Sequence, residues 1–236
     1  MTTRRTRLIA ALDTRDPAEA TRRANAVSPH VDAIKLGLEF AYAAGFEAVA
    51  KVAEGRELFL DLKLHDIPNT VGAAVGSLNR LSPAMLTIHA SGGSAMVAAA
   101  RQACDDSFPE GKRPLLLAVT VLTSLDDAAL AETGVPGGAR AQVLRLAELA
   151  LRNGADGLVC SAHELTALRK EFGERPVLVT PGIRPRGADA GDQKRIMTPT
   201  EARQAGADWI VVGRPITKAA DPAAAAAAIA AELVAP

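Results

Sequence analysis

The chain has 236 residues, of which 48% are hydrophobic, and it carries 27 basic and 27 acidic side chains. This length and composition suit one large core or two small ones. The balanced charge argues against nucleic acid or an anionic membrane as a partner. The two cysteines lack metal or redox spacing and favour a cytoplasmic location. A small-molecule ligand held by local charges is therefore expected.

Short apolar runs alternate with helical stretches along the chain. The runs are predicted to be strands at residues 8–12, 33–38, 58–64, 85–89, 115–122, 157–160, 177–180 and 209–212. Helices are predicted at residues 17–27, 41–53, 69–81, 93–104, 140–152, 163–171, 199–205 and 222–234. Near-continuous apolar strands covered by helices are typical of a parallel sheet. Eight such units predict an α/β fold, a compact (β/α)8 TIM barrel forming a single domain over residues 1–236.

An open doubly wound sheet is the alternative fold. It is disfavoured because no Gly-x-Gly-x-x-Gly turn follows the first strand. The longest predicted loops, residues 123–139 and 181–198, are rich in glycine, proline and charge. Long loops in a compact domain are usually functional.

Charged residues lie within or directly after the first three predicted strands. Asp13 ends the first strand, Lys35 lies in the second, Asp61 and Lys63 lie in the third, and Asp66 follows it. Strand side chains alternate, so Asp61 and Lys63 are predicted to point the same way. A structural ion-pair network is the alternative interpretation. Since buried charges are costly unless they are used, the five are predicted to form an active site at the C-terminal mouth of the barrel. A lysine among carboxylates suits a proton donor.

Glycine and arginine follow the last two predicted strands, where barrels of this type recurrently bind phosphate. Gly213 is predicted to let backbone amides approach an anion, and Arg214 to supply a forked donor. The alternative is a turn glycine beside a surface arginine. The loop 181–198 is predicted to close over the ligand, with Gln193 as a neutral hydrogen-bonding group.

A longer motif resembles a known family. The ten residues from Asp61 to Thr70, Asp-Leu-Lys-Leu-His-Asp-Ile-Pro-Asn-Thr, resemble the signature of the orotidine 5′-monophosphate decarboxylases. Residues 180–185, 191–193 and 212–216 are also similar to that family. The likeness extends from Leu8 to about Ala220, which is essentially the whole chain.

The resemblance implies conversion of orotidine 5′-monophosphate to UMP, the last step of pyrimidine nucleotide synthesis, by a carbon–carbon lyase without metal or organic cofactor. It implies that Lys63 protonates C6 of the pyrimidine and that Asp61 lies beside the departing carboxylate. Asp66 and Thr70 are implied to enter the site from the second subunit of a homodimer. With Lys35 these form the predicted catalytic set, Lys63, Asp61, Asp66 and Lys35. The predicted substrate-binding residues are Asp13, Lys35, Asp61, Ile67, Thr70, Thr123, Ser161, Pro181, Arg184, Gln193, Gly213 and Arg214.

Two other functions fit the predicted barrel. One is a related metal-dependent decarboxylase or aldolase of keto-sugar phosphates, disfavoured because Lys35 stands where those relatives place a magnesium-binding acid. The other is a non-catalytic barrel that senses UMP, disfavoured because binding alone would not require so many buried charges. Ser161 is interpreted either as a pyrimidine contact or as a helix N-cap, and the two roles are compatible.

Overall fold

The computed structural model describes residues 5–185 and 197–234. Within that part of the chain, eight parallel strands form a closed barrel in chain order, and the first strand pairs with the last. The strands are β1 (Arg7–Ala11), β2 (Ala33–Gly37), β3 (Leu58–Leu64), β4 (Met85–His89), β5 (Leu115–Val119), β6 (Gly157–Val159), β7 (Val177–Thr180) and β8 (Trp209–Val212). The predicted (β/α)8 barrel is confirmed, and the open sheet is excluded.

Helices follow the strands and cover the barrel. They are α1 (Pro17–Val27), α2 (Leu38–Ala53), α3 (Pro68–Ser77), α4 (Ser94–Ser107), α5 (Asp127–Glu132), α6 (Gly138–Arg152), α7 (Leu165–Phe172), α8 (Pro199–Gln204), α9 (Arg214–Thr217) and α10 (Pro222–Val234). No helix in these described ranges is long and apolar enough to cross a membrane. The single-domain boundaries and the cytoplasmic location stay predictions.

The barrel interior has an apolar floor and a polar layer above it. The floor contains side chains from all eight strands, including Ile9, Ala33, Phe59, Met85, Leu117, Val159, Val179 and Trp209. Because strand residues alternate, the inward positions directly above this floor include 35, 61 and 87 in β2 to β4, and the same alternation continues past β1 to residue 13. These positions hold Asp13, Lys35, Asp61 and Thr87. The fold therefore places polar groups together at the mouth.

At the opposite, N-terminal end of the barrel, aspartates join neighbouring strands. Asp32, Asp156 and Asp208 directly precede β2, β6 and β8. Each accepts a backbone hydrogen bond from the preceding odd-numbered strand: Leu8 N to Asp32 at 2.9 Å, Leu116 N to Asp156 at 2.8 Å and Leu178 N to Asp208 at 2.7 Å. Contacts at this end of the barrel serve stability rather than chemistry.

Replacement of Asp208 by alanine is expected to lower the free energy of unfolding by about 3–5 kcal/mol. The Asp208 carboxylate binds Arg169 at 2.7 Å, and the two side chains are 10% and 12% exposed. The variant leaves the Arg169 guanidinium buried without its carboxylate and unpairs the Leu178 amide. Denaturant titration at pH 7 measures the change.

The control is Glu148→Ala, which breaks the exposed pair between Arg152 and Glu148 in α6. It is expected to cost less than about 0.5 kcal/mol, because exposed ion pairs contribute little. Equal losses in the two variants would contradict the assigned role of Asp208.

Candidate active site

Asp13, Lys35, Asp61 and Lys63 form a chain of alternating charges at the mouth of the barrel. The Lys63 Nζ atom lies 2.8 Å from both carboxylate oxygens of Asp61. The Lys35 Nζ atom lies 3.6 Å from Asp61 Oδ2 and 3.1 Å from Asp13 Oδ1. The structure thus brings together four of the five charged residues singled out in the sequence. Asp66 lies outside this network.

Burial and the neighbouring charges have opposite effects on this network. Burial raises the pKa of Asp61, but the Lys35 and Lys63 ammonium groups outweigh it and hold that pKa below its ordinary value. Burial lowers the pKa of Lys35, but the Asp61 and Asp13 carboxylates outweigh it and raise that pKa. Asp61 and Lys35 are therefore both charged at neutral pH.

Lys63 contacts Asp61 from an irregular part of strand β3. Between Leu60 and Leu64 the β3 chain takes four residue steps, whereas its β4 partner takes two, from Leu86 to Ile88. Lys63 lies inside this bulge with φ at +49°, in the left-handed region. The two side chains do share a direction, but the regular alternation that predicted this is not the cause.

Thr87 was not identified from the sequence, although it contacts the network. Its Oγ1 donates a hydrogen bond to Asp61 Oδ1 at 3.0 Å. The sequence signal was a hydroxyl at an inward position between the apolar residues Leu86 and Ile88 of β4. Threonine is common in strands, so this signal is easily missed.

An inner cavity of about 230 Å³ lies against the charge network. Lys35, Asp61 and Lys63 form its charged edge. Apolar walls come from Phe59, Val119, Val159 and Val211, and the predicted residues Thr123 and Pro181 also line it. A small cavity with apolar walls and a few polar groups at one edge suits a flat organic ring.

An outer cavity of about 450 Å³ adjoins the inner one, and both are lined by Lys35, Pro181 and Val211. Its lining contains the predicted residues Asp13, Arg184, Gly213 and Arg214, together with Arg23 and Lys218, which were not predicted. Gly182 also borders it and has φ at +79°, a conformation that favours glycine. Several cations around one opening suit an anion such as phosphate.

Other predicted residues lie apart from these cavities. Asp66, Ile67 and Thr70 are exposed in the single chain and line neither cavity. Ser161 is fully buried and lies at the N-cap position of a short 3₁₀ turn, where its backbone N–H donates to Glu164 Oε2 at 2.9 Å. Gln193 lies outside the described residues, as does most of the loop predicted to close. Their contacts with a substrate stay predictions.

No group of three or more His, Cys, Asp or Glu side chains within residues 5–185 and 197–234 is arranged to hold a metal ion. In the network, Asp13 and Asp61 face the ammonium group of Lys35. The prediction that no metal or organic cofactor takes part stays a prediction.

Comparison with known proteins identifies the family. The sequence profile described as "Orotidine 5'-phosphate decarboxylase / HUMPS family" matches residues 6–229. The chain belongs to this family. A relative named orotidine 5′-phosphate decarboxylase from Gluconobacter oxydans (strain 621H) is 62% identical over 231 residues, which cover 98% of each chain. Another of that name, from Thermobifida fusca (strain YX), is 54% identical over 225 residues and 94% of each chain.

A solved structure gives the same result. The crystal structure of orotidine 5′-phosphate decarboxylase from Lactobacillus acidophilus matches with a TM-score of 0.87 and 40% sequence identity. The match covers 98% of this chain and 100% of that chain. The resemblance inferred from the ten-residue motif is therefore confirmed over nearly the full length.

Proposed function

We propose that this protein decarboxylates orotidine 5′-monophosphate to UMP and carbon dioxide, and that Lys63 is the acid that protonates C6. The observation that carries the proposal is the network of Lys35, Asp61 and Lys63 along the edge of the inner cavity. The family membership and the 62% identity to a protein named for this activity support it.

The chemistry requires a cation beside C6. When the C6–carboxylate bond breaks, its electron pair stays on C6, where resonance stabilises it little. A Lys63 ammonium group facing a water-poor pocket stabilises this negative charge and then donates its proton, so the electron pair becomes the new C–H bond. Lys63 suits this role better than Lys35, because its side chain is 27% exposed while that of Lys35 is 11% exposed.

Asp61 has two proposed roles. It holds the Lys63 ammonium group in place through contacts with both carboxylate oxygens. It also lies beside the carboxylate of the substrate, and the repulsion between the two disappears when neutral carbon dioxide leaves. Both roles require an ionised carboxylate, in agreement with the lowered pKa of Asp61.

The outer cavity is proposed to bind the 5′-phosphate and the ribose. Arg184, Gly213 and Arg214 border it and would contact the phosphate, together with Gln193. Lys35 lines both cavities and Asp13 lines the outer one, and these two residues would contact the ribose. Binding energy from the phosphate, far from C6, can be used to position the pyrimidine against Lys63.

Ultraviolet spectroscopy tests this function. Purified protein mixed with orotidine 5′-monophosphate is expected to convert the pyrimidine spectrum to that of UMP, with or without a metal chelator. Loss of conversion with the chelator would favour a metal-dependent relative. UMP binding without any conversion would favour the non-catalytic sensor. An unchanged pyrimidine spectrum in the presence of folded protein would contradict the proposed function.

We also propose a homodimer in which Asp66 and Thr70 complete the site of the partner subunit. Both residues are exposed in the single chain and follow the strand that carries Lys63. Ile67, between them, is a large apolar side chain that is 66% exposed. Contact with a partner subunit would bury the Ile67 side chain and add apolar area to the interface.

A mixture of two inactive variants is expected to regain activity. Lys63→Ala and Asp66→Asn each disable every site of their own homodimer. In a mixed dimer, one site combines the intact Lys63 of one subunit with the intact Asp66 of the other. Random exchange at equal amounts makes half of the dimers mixed, so about a quarter of wild-type activity is expected. Activity no higher than the sum of the separate variants would argue that Asp66 acts within its own subunit.

A further inference from the structure

Thr87 lies next to the Asp61–Lys63 pair without bordering the inner cavity. It is fully buried on β4, at the inward position above Met85 of the apolar floor. Its neighbours Leu86 and Ile88 belong to the outer core between strands and helices. A hydroxyl in such surroundings is unfavourable unless it is hydrogen-bonded.

The Thr87 hydroxyl makes two hydrogen bonds whose direction is fixed. The backbone N–H of Lys63 donates to Oγ1 at 2.8 Å, and Oγ1 lies 3.0 Å from Asp61 Oδ1. A backbone amide can only donate, so the one hydroxyl proton is directed to Asp61. The second bond therefore favours the ionised carboxylate. One side chain thus joins the backbone of Lys63 to the carboxylate of Asp61.

The first of these bonds supports an unfavourable backbone conformation. Lys63 has φ at +49° inside the bulge, where the regular β3–β4 pairing is interrupted. A residue with a Cβ atom adopts this conformation only where its surroundings hold it. The Thr87 hydroxyl takes the place of a strand partner for the Lys63 N–H.

We propose that Thr87 is a positioning residue that sets the direction of the Lys63 ammonium group and of the Asp61 carboxylate for proton transfer. The catalytic part of this inference rests on the proposed decarboxylase function. Because Thr87 borders neither cavity, it acts through the pair and not by contact with the substrate.

Three variants isolate the hydroxyl. Thr87→Ser and Thr87→Ala both lose the methyl group and differ only in the hydroxyl. Thr87→Val keeps the shape of threonine without the hydroxyl, and the serine–alanine comparison remains decisive if the valine variant does not fold. Displacement of a catalytic group by about 1 Å can cost 100-fold in rate. The alanine and valine variants are therefore expected to lose about 10- to 100-fold in kcat.

A purely structural role of Thr87 would not lower kcat while leaving KM and the affinity for UMP nearly unchanged. KM and the affinity for UMP are expected to stay within about threefold of wild type in all three variants, since the outer cavity is unchanged. The serine variant is expected to keep kcat within about threefold. A kcat of Thr87→Ala within about twofold of that of Thr87→Ser would overturn the proposal.

Amide hydrogen exchange at Lys63, followed by nuclear magnetic resonance, tests the same contact without turnover. The Lys63 N–H is expected to be protected in wild type and in Thr87→Ser, and to exchange about tenfold faster or more in Thr87→Ala. If wild type does not convert orotidine 5′-monophosphate, the proposed function fails, while the exchange rates still decide the positioning of Lys63. Equal exchange in the serine and alanine variants would overturn that positioning.

Discussion

Replacement of Lys63 by alanine is expected to lower kcat for orotidine 5′-monophosphate by more than about 10⁴-fold. In the proposed mechanism the variant removes both the proton donor and the cation that stabilises charge on C6, and each effect alone is worth about 10²-fold or more. The affinity for UMP is expected to change by less than about tenfold, because the cations of the outer cavity remain. Ultraviolet progress curves at saturating substrate and calorimetric titration with UMP measure the two quantities.

Two further variants separate chemistry from loss of structure. Lys63→Met keeps most of the side-chain volume without the ammonium group and is expected to be as inactive as Lys63→Ala. Lys51→Ala removes an exposed lysine from α2 and is expected to match wild type. Near-normal turnover by either Lys63 variant would exclude that residue as the proton donor.

The barrel could be predicted because its strands are short, apolar and separated by helices. The boundaries were less predictable where the chain leaves the sheet to form the site. The fifth strand was predicted to reach residue 122 but ends at Val119, because Val121 and Leu122 turn to line the inner cavity. The short helix Asp127–Glu132 falls inside a predicted loop, since six residues carry too little periodicity to be recognised.

The charged residues of the site followed from strand alternation and from the motif, but their contacts did not. Asp13, Lys35 and Asp61 lie at inward positions that alternation predicts. The position of Lys63 depends on a bulge in which this residue has a positive φ. No side-chain pattern in β3 predicts this bulge. Local sequence does not encode this bulge, because the hydroxyl that supports it is on another strand, at Thr87.

The stabilising aspartates at the N-terminal end of the barrel also have a weak signal in the sequence. The triplet Gly-Ala-Asp occurs at residues 154–156 and again at 206–208. In both places the aspartate binds the amide of the preceding strand. Three residues are too few to reveal a repeat, so their shared role became visible only in the barrel.

Asp61→Asn is expected to lower kcat by about 10²- to 10³-fold. Asparagine is nearly isosteric and can still accept a hydrogen bond from Thr87, so the change removes charge with little change in shape. The Lys63 ammonium group loses the carboxylate that holds it at 2.8 Å. Asp106→Asn, on the exposed face of α4, is the matched control and is expected to match wild type. A kcat of Asp61→Asn close to wild type would contradict the assigned role.

The same variant is expected to lose stability in a pH-dependent way. Removing one partner from a buried charge network costs about 3 kcal/mol or more, because Lys35 and Lys63 are left without the shared carboxylate. The folded pKa of Asp61 is lowered from 3.8, so its contribution is complete above that pH and is lost as pH falls through the lowered value. Denaturant titrations should show the largest difference from wild type near pH 7 and convergence well below pH 3.8. A difference that grows at low pH would refute this linkage.

Ligand affinities in Asp61→Asn can separate the two roles of this carboxylate. If Asp61 repels the carboxylate of the substrate, its neutralisation should tighten binding of orotidine 5′-monophosphate but leave UMP unchanged, because UMP carries no such group. A fall in kcat together with a fall in KM is the kinetic sign of removed ground-state repulsion. If Asp61 only holds Lys63, kcat should fall while the ratio of the two affinities stays as in wild type. Because orotidine 5′-monophosphate and UMP carry the same 5′-phosphate, any effect of the variant on phosphate binding cancels in the ratio of the two affinities. We expect the first result, since an ionised, desolvated Asp61 at the cavity edge acts on any anion placed there.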